Sequence, residues 1–218
     1  MFRFIIFRYF LRPILRFVFG IQYRGSFNLR PGQSFILIAN HNSHFDALCL
    51  LAALPRWALN SVRTVGAADY FGQQPLIRRL LTSGMRMLLI HRERQPGRPA
   101  ALDRMSEVLD GGGSLILFPE GTRGAPGVMG PFRSGIGVLL RRYPQVVCLP
   151  TYLTGLGRVL PKASRWPLPL VTQVRFGDPF RPEVTEVQCI TQQVKDRVRA
   201  LGNLPSFTHG QFHQTPAA

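Results

Sequence analysis

The sequence is short of lysine, acidic side chains and cysteine. Of its 218 residues only 11 are Asp or Glu, whereas 27 are Lys or Arg, and Lys162 and Lys195 are the only lysines. The formal net charge of +16 is therefore carried almost entirely by arginine, whose planar guanidinium matches phosphate and carboxylate groups. The expected partners are anionic: a phospholipid surface, a phosphorylated substrate or nucleic acid.

Cysteine is too scarce and too scattered to form a framework. Cys49, Cys148 and Cys189 lie far apart, and no Cys-x-x-Cys spacing occurs. An odd number at such spacing argues against disulfides and against a zinc site. Reduced thiols in mostly apolar surroundings fit a cytoplasmic protein, and we expect neither a metal ion nor a cofactor.

A long uninterrupted apolar run is also lacking, even at the hydrophobic N-terminus. Crossing a membrane takes about 20 consecutive apolar residues. In MFRFIIFRYFLRPILRFVFG an arginine recurs every four or five positions. The stretch therefore predicts neither a transmembrane helix nor a signal peptide. On a helix, Arg8, Arg12 and Arg16 form one basic stripe, and Pro13 should kink the helix.

A basic, aromatic-rich helix of this kind suits the plane of an anionic membrane surface. We predict that residues 1–24 form an amphipathic helix of a peripheral or monotopic protein on the cytoplasmic face of the inner membrane. The apolar faces are broader than one packing stripe requires, which favours this interpretation over a helix packed on the domain's own core. The side chains expected at the membrane are Phe4, Arg8, Arg12, Arg16 and Phe17.

The rest of the chain alternates between strand-like and helix-like segments, which predicts an α/β fold with helices on the faces of a sheet. The strand-like runs are 34–39, 62–66, 85–90, 114–118, 146–151 and 171–177. The predicted helices are 46–54, 75–83, 99–110, 132–142 and 183–201. We expect a single sheet of about six or seven strands in one domain over 25–202, with an irregular loop at 155–170 and a polar C-terminal tail at 203–218.

Polar clusters follow the strands at the sheet edge where α/β proteins bind ligands. In NHNSHFD, residues 40–46, His41 and Asp46 could meet if the histidine lies in the strand-to-helix turn and the carboxylate in the first turn of the helix. The carboxylate would then fix the tautomer of the imidazole and leave its other nitrogen as a general base. Taken alone, this spacing is more typical of a helix cap beside a surface histidine.

A second cluster lies in LILFPEGTRG, residues 115–124. Gly121 lets the backbone approach a ligand, Thr122 offers a hydroxyl, and Arg123 can clamp a phosphate. The alternative for this segment alone is a structural pair between Glu120 and Arg123 within a turn.

In this order, NHNSHFD and FPEGTR resemble the first and third motifs of the glycerolipid acyltransferases, the PlsC-like lysophospholipid acyltransferases. GMRMLLIHR (84–92) is similar to the second motif and VVCLPTYL (146–153) to the fourth. PFRSGIGVLL (131–140) also fits, and the likeness covers roughly 25–181. The second motif commonly has an acidic residue before its arginine, where this chain has His91.

The resemblance implies an acyltransferase domain that moves a fatty acyl group from acyl-CoA or acyl carrier protein to the hydroxyl of a lysophospholipid, most simply 1-acylglycerol 3-phosphate. His41 would be the general base and Asp46 its orienting partner. The arginines would bind the acceptor's phosphate, and the proline of the fourth motif would shape the acyl-chain or thioester site. The substrate-binding residues would be Arg92, Glu120, Gly121, Thr122, Arg123 and Pro150.

Other acceptors stay open: a lyso-ornithine lipid, another lysophospholipid or glycerol 3-phosphate. A basic protein that binds nucleic acid or membrane without catalysis is the alternative from another class. It explains the charge but leaves the two polar clusters without a role, and we expect no nucleic-acid partner.

Overall fold

A computed structural model describes residues 2–43, 45–68, 80–91, 100–125, 127–155 and 172–204. Within these ranges the chain forms one sheet of seven strands. The predicted α/β class and strand number are thereby confirmed. The strands are β1 Ile21–Arg24, β2 Phe35–Ala39, β3 Val62–Ala67, β4 Met87–Ile90, β5 Ser114–Leu117, β6 Val147–Thr154 and β7 Thr172–Phe176.

The strand order in the sheet is β1-β7-β6-β2-β5-β3-β4. The five strands β6, β2, β5, β3 and β4 are parallel to one another. At the other side, β7 pairs antiparallel with β6, and β1 pairs parallel with β7. The carboxyl ends of the five parallel strands therefore meet at one edge, where the two sequence clusters lie.

Helices cover both faces of this sheet. The described helices are α1 Phe2–Ile5, α2 Arg12–Val18, α3 Asp46–Ala53, α4 Arg56–Ser61, α5 Ala101–Asp110, α6 Gly135–Arg142 and α7 Val187–Gly202, with π-helical segments at Ile6–Leu11 and Leu80–Gly84. The N-terminal helix, α3 and α4 pack on one face, and α5, α6 and α7 on the other.

The central strand β2 shows why the apolar runs do not alternate with polar residues. All five of its residues are buried. Phe35, Leu37 and Ala39 contribute to the core under the N-terminal helix and α3, whereas Ile36 and Ile38 contribute to the opposite core. A strand that is covered on both faces needs apolar side chains at every position.

The prediction that the N-terminal helix extends over 1–24 is wrong at the C-terminal end of this range. Helix α2 stops at Val18, Gly20 adopts a left-handed φ of +61°, and the chain then enters β1. Strand β1 pairs with β7, about 150 residues later, which no local pattern in the sequence reveals. The sheet therefore starts at Ile21, inside the predicted helical segment.

Proline is accommodated in the N-terminal helix by a change of winding. Before Pro13 the chain is π-helical, and the N–H of Arg12 donates to the carbonyl of Phe7. Proline has no N–H donor and its ring crowds the preceding turn, and single π-helical turns occur within α-helices. No helix within the described ranges is long and apolar enough to cross a membrane.

The N-terminal helix is fixed to the domain by a buried face. Phe7 and Leu15 are buried in the same core as α3. The guanidinium of Arg3 donates to the carbonyls of Leu59 and Met85, and burial lowers the pKa of Arg3 to about 10.

Two of the side chains predicted to lie at the membrane have a place on the domain instead. Phe4 is partly buried against the core, and the half-buried Arg12 lies over the ring of Tyr23, at 4.9 Å from its centre. The prediction that these two side chains contact a membrane is weakened, because each already packs on the protein.

The other predicted helices are present, with ends shifted by a few residues. The helices predicted at these ranges are the ones whose ends differ: 46–54, 99–110, 132–142 and 183–201. Of the region predicted as 75–83, only the π-helical part lies in the described chain. The 155–170 loop, apart from its first residue, and the tail beyond Leu204 lie outside the described residues.

Candidate active site

His41 and Asp46 meet at the carboxyl end of β2. His41 lies in the turn after the strand, and Asp46 is the first residue of α3. The Nδ1 atom of His41 is 2.8 Å from Oδ2 of Asp46. The sharp turn, and not a regular helix, brings the two side chains together.

The carboxylate of Asp46 is fully buried and held by its own loop. Besides the imidazole, Oδ2 accepts hydrogen bonds from the backbone N–H groups of Asn42 (2.7 Å) and Ser43 (2.8 Å). Three donors on one oxygen compensate the loss of water around the charge. These contacts hold the carboxylate in one orientation against the imidazole, and its Oδ1 has no hydrogen-bond partner among the described residues.

The outer nitrogen of His41 is available to a substrate. With Nδ1 donating to the carboxylate, Nε2 carries the lone pair, and it has no hydrogen bond to any described residue. The ring stacks on Phe118, with 4.3 Å between ring centres. The side chain is 23% exposed. The ring is thus oriented on one side by Asp46 and on one face by Phe118, with its basic nitrogen uncovered.

Glu120 ties the third motif to the first. Its side chain is buried; Oε1 accepts from the backbone N–H of His41 and Oε2 from that of Gly130, each at 2.8 Å. The N–H of Gly124 in turn donates to the carbonyl of His41, at 2.9 Å. The loop after β5 thus holds the backbone of His41 at both its N–H and its carbonyl.

A cavity of about 320 Å³ opens beside His41. This volume is at the lower end of the range of small-molecule sites, about 300–1,000 Å³. The cavity lies over the carboxyl ends of β3, β4 and β5, between α5 and α6. Its interior is apolar, and among the lining side chains are Val65, Ile90, Leu102, Met105, Leu117 and Ile136.

The remaining predicted site residues differ in their positions. Gly121 lines the cavity with a φ of +72°, and Thr122 and Arg123 are exposed on the same turn. Pro150 is buried within β6 and is not among the residues that line the cavity. Arg92 lies outside the described residues.

Three residues of the site were not predicted from the sequence. Asn40 is fully buried. Its side-chain NH₂ donates to the carbonyl of Leu153, and its side-chain oxygen accepts from the N–H of Leu153, so that Asn40 connects β2 to β6. Phe118 stacks on the base, and Arg133 lines the cavity. A polar residue directly after a buried strand was the available signal for Asn40. The other two could be found only from the fold.

The buried cysteines are not poised to act as nucleophiles. Burial raises the pKa of Cys49 and raises that of Cys148 to about 12. Both thiols therefore stay protonated at neutral pH, and a thiol reacts as its thiolate. The histidine–carboxylate pair is the reactive arrangement in this part of the chain.

A histidine–carboxylate pair at a strand end, beside a largely apolar cavity, is the arrangement of a candidate enzyme site in an α/β fold. The chain matches the family model described as Acyltransferase over residues 20–154, which is more than half of its length. The chain therefore belongs to the acyltransferase family.

Two relatives carry more specific names. The chain is 30% identical over 112 residues to a 1-acyl-sn-glycerol-3-phosphate acyltransferase of Helicobacter pylori, covering 50% of this chain and 44% of the relative. It is 26% identical over 129 residues to the 1-acyl-sn-glycerol-3-phosphate acyltransferase BAT2, chloroplastic, of Brassica napus, covering 59% and 35%. The matches thus span less than half the length of these relatives.

The fold is similar to that of a solved structure. This is the crystal structure of the 1-acyl-sn-glycerophosphate (LPA) acyltransferase PlsC from Thermotoga maritima, with a TM-score of 0.68 and 21% sequence identity. The match covers 88% of this chain and 78% of that chain. At this identity the likeness concerns the fold alone.

Proposed function

We propose that this protein is an O-acyltransferase that moves a fatty acyl group from a thioester to the free hydroxyl of 1-acylglycerol 3-phosphate, giving phosphatidic acid. The observation that carries the proposal is His41, whose Nδ1 is held by Asp46 at 2.8 Å while Nε2 is left uncovered beside an apolar cavity. This is the arrangement that activating a substrate hydroxyl requires.

The reaction proceeds in one active site without an acyl-enzyme. Nε2 of His41 takes the proton of the acceptor hydroxyl as its oxygen attacks the thioester carbonyl. Asp46 stabilises the imidazolium that forms, as a buried carboxylate does in other base pairs of this type. The tetrahedral intermediate then expels the thiolate, and the imidazolium returns the proton to its sulfur.

The cavity is assigned to an acyl chain. Most of the described residues that line it are apolar, with His41 and Arg133 as the exceptions. Burying a methylene group there stabilises the complex by about 0.8 kcal/mol. A chain placed in this way brings its carbonyl to the mouth of the cavity, where His41 lies.

The acceptor is assigned to the polar turn after β5. Gly121, Thr122 and Arg123 lie on this turn, next to the base, and a guanidinium is suited to a phosphate. Glu120 contributes through the position of His41, because its oxygens already accept two backbone N–H groups. Arg92 is kept as a second phosphate ligand on the resemblance of its motif.

The names of the relatives support 1-acylglycerol 3-phosphate as the acceptor. Acyl-CoA and acyl carrier protein are both proposed donors, because either presents the same thioester. A lyso-ornithine lipid, another lysophospholipid or glycerol 3-phosphate would undergo the same chemistry at the same base.

The proposal is tested by thiol release from palmitoyl-CoA, with and without lysophosphatidate, for the wild type and His41→Ala. We expect release only when the acceptor is present, and a loss of about 10²–10⁴-fold in the variant. Equal thermal unfolding of the two proteins shows that the fold is kept. Full activity of His41→Ala would overturn the mechanism, and release without an acceptor would indicate a thioesterase.

We further propose that the N-terminal helix lies on an anionic membrane surface. Apolar side chains of this helix protrude from the domain at helical spacing, with the exposed Arg8 and Arg16 among them. The protruding side chains are Ile6, Tyr9, Phe10, Ile14, Phe17 and Val18. Such a surface suits lipid headgroups and the upper part of the acyl chains.

A further inference from the structure

Arg133 lines the same cavity as His41 and is fixed by its backbone and by the stem of its side chain. Its backbone N–H donates to the carbonyl of Pro119 at 2.9 Å, and its Nε donates to the carbonyl of Glu120 at 3.4 Å. The stem lies across Gly121, where an added Cβ would be only 2.5 Å from Nε. The absence of a side chain at Gly121 is what makes room for this arginine.

The terminal nitrogens of Arg133 have no partner in the described chain. Neither Nη atom donates a hydrogen bond to a described residue, and no described carboxylate forms an ion pair with it. Glu120, the acidic residue nearest to it in the chain, accepts from two backbone N–H groups instead. By contrast, Arg142 on α6 is engaged with Ser106 and Asp103.

Among the described residues the two Nη atoms of Arg133 are thus unpaired, and this arginine lines the same cavity as His41. The stem is held on one side, while the two Nη atoms remain able to donate to the same anionic group. A group that satisfies both is a phosphate, which guanidinium binds through two parallel hydrogen bonds.

We propose that Arg133 binds a phosphate of a substrate at the mouth of this cavity, an inference that rests on the proposed function. In lysophosphatidate only the glycerol carbons separate the reacting hydroxyl from the phosphate, so a cation that lines the same cavity as the base is suitably placed to bind that phosphate. The donor coenzyme A also carries phosphates. The experiment therefore varies the two substrates separately.

The test measures KM and kcat for both substrates with wild type, Arg133→Met, Arg133→Lys and Arg141→Met. Arg141 is exposed on α6 and does not line the cavity. The variant Arg141→Met therefore removes the same charge at a position outside the cavity. We expect Arg133→Met to raise the KM for lysophosphatidate about tenfold or more, with kcat changed much less. Arg133→Lys should recover part of the loss, and Arg141→Met should match the wild type.

The outcomes separate the proposal from the function on which it rests. A rise confined to the KM of palmitoyl-CoA, and absent with a palmitoyl thioester that lacks phosphate, would also support a phosphate contact and would assign it to the donor. An active wild type whose two KM values are unchanged by Arg133→Met would overturn the proposal. An unchanged KM with a reduced kcat would do so as well. A wild type without activity would instead contradict the proposed function. Binding of lysophosphatidate measured by calorimetry would then still test Arg133.

Discussion

The position of His41, the proposed base, depends on a carboxylate that its own motif does not contain. Glu120 is 79 residues further along the chain, yet its Oε1 accepts from the N–H of His41. A buried carboxylate is costly unless its oxygens accept hydrogen bonds, and here two backbone donors satisfy it. Glu120 therefore positions the backbone of His41, and in the proposed mechanism it acts on the reaction only through that backbone.

Glu120→Gln should both destabilise the protein and slow acyl transfer. The amide keeps the shape but has only one oxygen, so one of the two buried N–H groups faces an NH₂ group. We expect the free energy of unfolding to fall by about 1–3 kcal/mol, as measured by urea denaturation, and kcat to fall with it.

The matched control for this change is Glu107→Gln, on the exposed side of α5. It removes the same charge and should change the free energy of unfolding by no more than about 0.5 kcal/mol. Equal urea midpoints for Glu120→Gln and wild type would show that the two backbone contacts do not stabilise the loop.

At the scale of elements, helix α6 is joined to α7 by a close approach at one glycine. A Cβ added to Gly137 would lie 2.3 Å from the carbonyl oxygen of Val187 and 2.4 Å from Oγ1 of Thr191. Two residues earlier, a Cβ added to Gly135 would meet nothing within 4 Å. The same substitution therefore has opposite consequences at the two positions.

Gly137→Ala should destabilise the protein because the carbonyl in its path belongs to the backbone and cannot rotate away. Overpacking of this kind costs about 1–3 kcal/mol, which calorimetric melting would show as a lower Tm. Gly135→Ala should be neutral or slightly stabilising, since alanine favours a helix by up to about 1 kcal/mol over glycine. A Tm for Gly137→Ala at or above that of Gly135→Ala would disprove the close contact.

Elements whose pattern is local were predictable from the sequence. The strands around the site are short apolar runs, and α3 begins where a polar turn meets an apolar segment. Strand β1 was not predicted, because its pairing with β7 is distant in sequence. The short α4 was not predicted either, since its six residues, Arg56–Ser61, show no helical period.

At the scale of the whole molecule, the net charge and the exposed apolar side chains of the N-terminal helix would both contribute to the proposed membrane binding. Phe10 and Phe17 are 63% and 87% exposed, on a chain with a net charge of +16. Electrostatic attraction weakens with salt, whereas apolar insertion does not. Membrane attachment through this helix should therefore survive salt concentrations that abolish a purely charge-driven contact.

Replacing Phe10 and Phe17 together by serine should weaken binding to anionic vesicles about tenfold or more, because both rings lose their contact with the acyl chains. The measurement is co-flotation with phosphatidylglycerol-rich vesicles at low and high salt. Leu204→Ser, an exposed apolar residue on a different part of the surface, is the control and should bind as the wild type does. Undiminished binding of the double variant would refute the proposed membrane surface.

The site could be predicted from the sequence only in part. The meeting of His41 and Asp46 followed from five residues of local sequence and a turn. The contacts of Glu120 and Asn40 did not, because each joins segments that come together only when the sheet forms. The contacts of Arg133 lie within the loop between β5 and α6, and they depend on how that loop folds back on itself. Residue type indicated which chemistry was available. The fold determined which side chains can face a substrate and which bind backbone groups.

The contacts between the loop after β5 and the backbone of His41 also determine at which stage of folding the chain can become active. The segment before Ser114 contains both the imidazole and its carboxylate, but neither the group that receives the histidine N–H nor the amide that binds its carbonyl. A nascent or partly unfolded chain thus carries the reactive pair without the restraint that orients it. Acyl transfer should therefore return during refolding together with the pairing of β2 and β5, as one cooperative event. A chain in which β5 has not yet paired with β2 would then lack the proposed activity.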